Sequence, residues 1–113
     1  MRDISCTQIT AAVKQLCIDA NCLLPSDMRA ALREAGEREV SPVGKSILGD
    51  IVKNFSLADE ELLPICQDTG MAVFFVELGQ QAHIVDGFLE DAINEGVRQG
   101  YIQGKLRCSV VAD

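Results

Sequence analysis

Residues 64–78 read PICQDTGMAVFFVEL, and the rest of the chain is arranged around this stretch. Proline and glycine punctuate chain direction, so Pro64–Gly70 is expected to form a tight loop. It feeds Met71–Leu78, an apolar run too short for an ordinary helix and predicted to be a buried strand. Within the loop, Cys66, Gln67, Asp68 and Thr69 stand side by side. A loop cannot send four such groups into a core, because unpaired buried polar atoms are costly. They must meet one another, a neighbouring element or a ligand. Loops held on a rigid scaffold are where function concentrates, so these four residues are the first candidates for chemistry.

At 113 residues the chain is one domain or a piece of one. Hydrophobic residues make up 48% and charged residues 24%, the balance of a globular protein. Aromatics are only 4% and tryptophan is absent, which predicts an aliphatic core. The net charge of −7 argues against nucleic acid or an anionic membrane as a partner, since both require a basic footprint. An anionic substrate would need a local cluster of Arg or Lys. No apolar run approaches a membrane span, and the opening MRDISCTQ lacks the pattern of a signal peptide. A cytoplasmic chain is expected. Five cysteines, at 6, 17, 22, 66 and 108, show no CxxC. Free thiols in a reducing compartment fit that pattern better than a disulfide framework or a closed zinc site.

Ser5 and Gln8 match the capping box. After them, Ile9, Val13, Leu16, Cys17 and Ala20 form one helical stripe ending near Asn21. Cys6, Cys17 and Cys22 read as small hydrophobes of that region. A second helix is predicted after Pro25, with Ser26 or Asp27 as its cap and Met28, Ala31, Leu32 and Ala35 facing inward. Ser41-Pro42 opens a third, because proline at the first helical position loses no amide bond. Its apolar face is Val43, Ile47, Leu48, Ile51, Val52 and Phe55, with Ala58–Glu61 as an acidic link to the loop. Beyond the expected strand, Gly79–Ala82 reads as a turn and His83–Val85 as a returning strand. Asp86 is placed as the cap of a fourth helix, with Phe88, Leu89, Ala92, Ile93, Val97 and Tyr101 inward. Gly96 and Gly100 each cost about 1 kcal/mol against alanine in a helix, so close packing there is expected. Lys105–Asp113 closes as an extended segment. The fold class is α+β: a helix-rich segment of about four helices with a few short strands.

Cys66 reads as a buried thiol at a strand entrance, as a metal ligand or as a nucleophile. A nucleophile would need a histidine base, and His83 is the sole histidine. Asp68 beside Thr69-Gly70 suits an Asx turn. Arg107 sits in an apolar stretch, as an edge-strand side chain or as a two-point grip for a carboxylate.

PICQDTGMAVFFVELGQ, the helix DAINEGVRQGYIQGKLR and the closing RCSVVAD together resemble the N-terminal part of the iron–sulfur hydro-lyases. That family comprises class I fumarate hydratase and the alpha subunit of L-tartrate dehydratase. The resemblance implies a [4Fe–4S] cluster held by three cysteines, with Cys66 as the first ligand and the others outside this chain. It implies that Gln67 and Asp68 line the substrate site, Asp68 moving a proton or orienting a hydroxyl, and that Arg107 grips a substrate carboxylate. Cys108 and His83 match no ligand or catalytic residue. Residues 1–113 would then be the N-terminal, incomplete part of the catalytic alpha domain, inactive alone. The implied partners are a small dicarboxylate, the remaining alpha region and a beta subunit in an oligomer. Fumarate to malate is favoured over tartrate. A competing expectation is a non-catalytic binding or assembly domain that keeps the scaffold.

Overall fold

The computed structural model describes residues 1–109. The element order is β1 (Arg2–Ser5), α1 (Cys6–Cys22), α2 (Ser26–Arg38), α3 (Pro42–Glu61), β2 (Ala82–Val85) and α4 (Leu89–Gln103). The molecule is α+β, dominated by helix, with one small parallel ribbon in which Arg2 pairs with Ala82 and Ser5 with Val85. Its radius of gyration is 18.0 Å, well above the roughly 13 Å of a compact domain of this length.

Helix α1 begins where its sequence says it should. The Ser5 side chain accepts the Gln8 amide, and the Gln8 side chain accepts the Ser5 amide. Val13 and Cys17 are buried from its inward stripe and form the core with Leu106, flanked by Ile9, Phe74, Ile93, Val97 and Tyr101. Helix α4 lies against this stripe through its glycines. A Cβ on Gly96 would stand 2.6 Å from the Val13 Cβ and 2.8 Å from the Thr10 carbonyl oxygen. One on Gly100 would stand 2.9 Å from both the Cys17 Cβ and the Lys14 carbonyl oxygen. Close approach of the two backbones is what the helix receives for its poor glycine propensity. The Thr10 hydroxyl adds a 2.9 Å bond to the Ala92 carbonyl.

Helices α2 and α3 pack on each other around Phe55, which is buried, with the Arg33 guanidinium 5.3 Å from its ring centre. Arg29 joins Asp59 at 3.2 Å and also donates to the Leu24 carbonyl at 2.8 Å. Ser41 caps α3 by accepting the Gly44 amide, with Pro42 in the first turn.

Several expectations fail, each for an identifiable reason. Met71–Leu78 is no strand: no element among the described residues offers its backbone a ladder. Phe74 packs on the core, while Met71, Val73, Phe75, Val76 and Leu78 are exposed. The second strand does not return along that segment but pairs with β1, a four-residue piece too short and too polar to show a period of two. Ser26 lies inside α2, whose cap is Pro25 with no side-chain bond. Asp86 adopts φ 66° and does not cap α4, which starts after an exposed Phe88. Ala58–Glu61 continues α3 instead of linking it to the loop, and Val43, Ile47 and Ile51 on its expected inner face are exposed. Residues 110–113 of the expected final segment lie outside the described residues.

Helix α4 ends in two reverse bonds. The Lys105 amide donates to the Ile102 carbonyl at 3.3 Å and the Leu106 amide to Tyr101 at 2.9 Å. This paired motif normally places glycine at the left-handed position. Here Gly104 is right-handed at φ −79° and Lys105 takes the left-handed place at φ 55°. An L side chain there costs about 1 kcal/mol. Leu106 is buried behind the turn and anchors it.

Candidate functional site

The loop from Pro64 to Gly70 is held at both ends. Helix α3 stops at Leu62, itself left-handed at φ 53°. Three residues on, the Ile65 amide donates to the Asn21 carbonyl at the end of α1, at 2.8 Å. The Ile65 carbonyl accepts from the Asn54 side-chain amide of α3, also at 2.8 Å. Asn21 is in turn tied back to the Cys17 carbonyl. The residue just before Cys66 therefore has both backbone groups satisfied by two different helices.

At the far end, the Thr69 hydroxyl donates to the Arg107 carbonyl and accepts the Arg107 amide, each at 2.9 Å. One small side chain thus imitates a strand pairing and fastens the loop to the segment that follows α4. Between these two fastenings the Cys66 thiol donates to the Gln67 side-chain oxygen at 3.3 Å and accepts the Asp68 amide at 3.5 Å. Asp68 accepts the Gly70 amide at 3.0 Å, an Asx turn in which Gly70, lacking a Cβ, takes φ 63°.

A cleft of about 440 Å³ opens here, lined among others by Asn54, Cys66, Gln67, Thr69, Lys105 and Arg107. The structure therefore brings Cys66, Gln67 and Arg107 to one surface. The expectation of a thiol buried at a strand entrance is replaced by an exposed one. Asp68 is exposed, with its carboxylate engaged in the turn instead of lining the cleft. His83 sits on β2 with Nδ1 3.1 Å from an Asp3 oxygen, so its partner is a carboxylate on β1 and not the thiol. Cys17 and Cys22 are buried. Burial pushes the Cys17 thiol up, and burial with the nearby Asp19 charge does the same for Cys22.

Among the described residues, no three His, Cys, Asp or Glu side chains gather to hold a metal ion. These residues do not hold a cluster unaided; Cys66 offers one soft thiolate. Asn54 and Lys105 were not singled out by sequence. Asn54 lies between Lys53 and Phe55 with nothing to mark its reach to Ile65, and Lys105 is visible only as the residue after a helix-ending glycine.

The stretch from Thr10, within α1, through the cleft falls within one comparison: the family model for fumarate hydratase (Fumerase) matches residues 10–113. The chain belongs to the fumarate hydratase family. Family relatives carry two kinds of name. A provisionally named L(+)-tartrate dehydratase alpha subunit from Methanocaldococcus jannaschii is 33% identical over 105 residues, covering 92% of this chain and 37% of that protein. A provisionally named class I fumarate hydratase from Geobacillus stearothermophilus is 32% identical over 94 residues, 82% of this chain and 18% of that protein. The L(+)-tartrate dehydratase alpha subunit of Escherichia coli O157:H7 is 31% identical over 88 residues, 78% of this chain and 29% of that protein. The chain thus spans well under half the length of these fumarate hydratase family members. None of its helices, among the described residues, is long and apolar enough to cross a membrane.

Proposed function

We propose that this chain contributes to a cytoplasmic hydro-lyase that adds water to, or removes it from, a four-carbon dicarboxylate. Cys66 supplies one thiolate of a [4Fe–4S] cluster whose remaining ligands lie on polypeptide outside these 113 residues. The observation that carries the reading is the Thr69 fastening: it sets the Cys66–Asp68 loop against Arg107 in a chain of the fumarate hydratase family.

The residue types suit the reaction. A bound cluster supplies a Lewis-acid iron. Arg107 offers a rigid fork for one substrate carboxylate, and the Gln67 amide can hold the substrate beside it. Fixed geometry of this kind provides much of a rate gain. Asp68 is the chain's candidate for proton transfer or orientation; to act, its carboxylate has to trade the Gly70 amide for the substrate. Alone, the chain is inactive.

Fumarate is the first substrate to assay and L(+)-tartrate the second, because relatives of similar identity carry both names. The alpha-subunit names of two relatives support a further alpha region and a beta subunit as partners in an oligomer. The exposed strip from Met71 to Leu78 favours a second role, in assembly. The test is turnover by the anaerobically isolated assembly on both substrates, with Arg107→Ala compared to wild type. Loss of one exposed clamp should raise KM about tenfold. Unchanged KM on both substrates would contradict the assignment of Arg107.

A further inference from the structure

The cleft beside Cys66 holds a second cation. Lys105 lines it with Arg107, and no carboxylate belongs to that lining, in a chain whose net charge is −7. Among the described residues neither cation takes part in an ion pair. The backbone adds an independent observation. Lys105 occupies the left-handed position that glycine normally fills, one residue after a glycine that does not use it. The chain enters the same cleft from α3 through Leu62, also left-handed at φ 53°. Non-glycine residues held in this region gather at functional sites. What lysine brings to that cleft-lining position, and glycine would not, is a cationic side chain.

We propose that Lys105 is the second carboxylate-binding residue of the site. The planar Arg107 guanidinium takes one carboxylate at two points, and the compact, flexibly tethered Lys105 ammonium meets the other. The cleft then selects dicarboxylates over monocarboxylates. The proposal rests on the hydro-lyase reading for the identity of the ligand, and it requires no cluster.

The test is a titration of the 113-residue chain with fumarate and with acetate, followed by nuclear magnetic resonance at Lys105, Arg107 and Gln67. Fumarate should bind more tightly than acetate by about fivefold, the upper end for a single exposed ion pair. Lys105→Gln and Lys105→Gly should both erase that preference, and Lys105→Arg should keep it. Lys105→Gly should also hold or raise the thermal midpoint, since φ 55° suits glycine. A lysine with only a structural role predicts the reverse, a lower midpoint with selectivity intact. The proposal is overturned if the wild-type chain shows no preference, or if the preference survives Lys105→Gln. Either result leaves the hydro-lyase reading to stand or fall separately, on iron content and turnover.

Discussion

Two phenylalanines separate the settled part of this molecule from the unsettled part. Phe55, on α3, is 1% exposed under the Arg33 guanidinium; Phe75, in the segment after the loop, is 96% exposed. Their side chains have the same appetite for burial, so hydrophobicity does not explain the difference. Partner surface does: α2 lies over Phe55, whereas no element among the described residues covers Phe75. The same contrast runs through the glycines. Gly96 is pressed against α1, while Gly49 on α3 has nothing within 4 Å of the place a Cβ would occupy.

Substitutions can break or sharpen this contrast. Phe55→Ala should cost about 3–4 kcal/mol in denaturant unfolding; a cost below 1 would mean that α2 and α3 are not packed as described. Gly96→Ala should lose about 2 kcal/mol, because overpacking against Val13 and Thr10 outweighs its better helix propensity. Asn54→Ala should lose about 1 kcal/mol by freeing the Ile65 carbonyl, and should raise the rate at which Cys66 is alkylated. Gly49→Ala has the opposite sign, a gain of about 0.5–1 kcal/mol. Phe75→Ser should stay within about 0.5 kcal/mol; a large loss would show that this segment is covered in solution.

Alkaline pH probes the same packed half. The Cys17 and Cys22 pKa values are raised above 9.0 by burial, with the Asp19 charge adding to Cys22. The unfolded chain therefore releases these protons first. Stability is held below pH 9.0 and declines as pH rises through the folded-state values. Thermal melts across that range should show the decline, and Cys17→Ala should reduce it, leaving the Cys22 part.

What was legible in the sequence was local. The Ser5–Gln8 box and the Ser41-Pro42 start each need only a few neighbouring residues, and both stand as read. The tight contact of α4 was legible because two glycines in a helix need a reason. Met71–Leu78 misled because an apolar run reports a wish for burial without naming what buries it. Strand β1 was invisible, since its register depends on residues about 80 positions away. At the site, the loop residues announced themselves by chemistry, but Asn54 meets the loop through a side-chain bond to the Ile65 carbonyl, and Lys105 meets the cleft after a left-handed turn. Both are facts of three-dimensional placement that residue type does not carry.

The central claim places a single metal-binding thiolate at Cys66, exposed on a loop fastened at both ends. Iron and acid-labile sulfide, measured in the anaerobically isolated native assembly with Cys66→Ala beside wild type, test it most directly. The account predicts loss of the cluster and of dicarboxylate turnover, with the chain's own unfolding free energy changed by less than about 0.5 kcal/mol. A Cys66→Ala protein that keeps its iron and its turnover would contradict it.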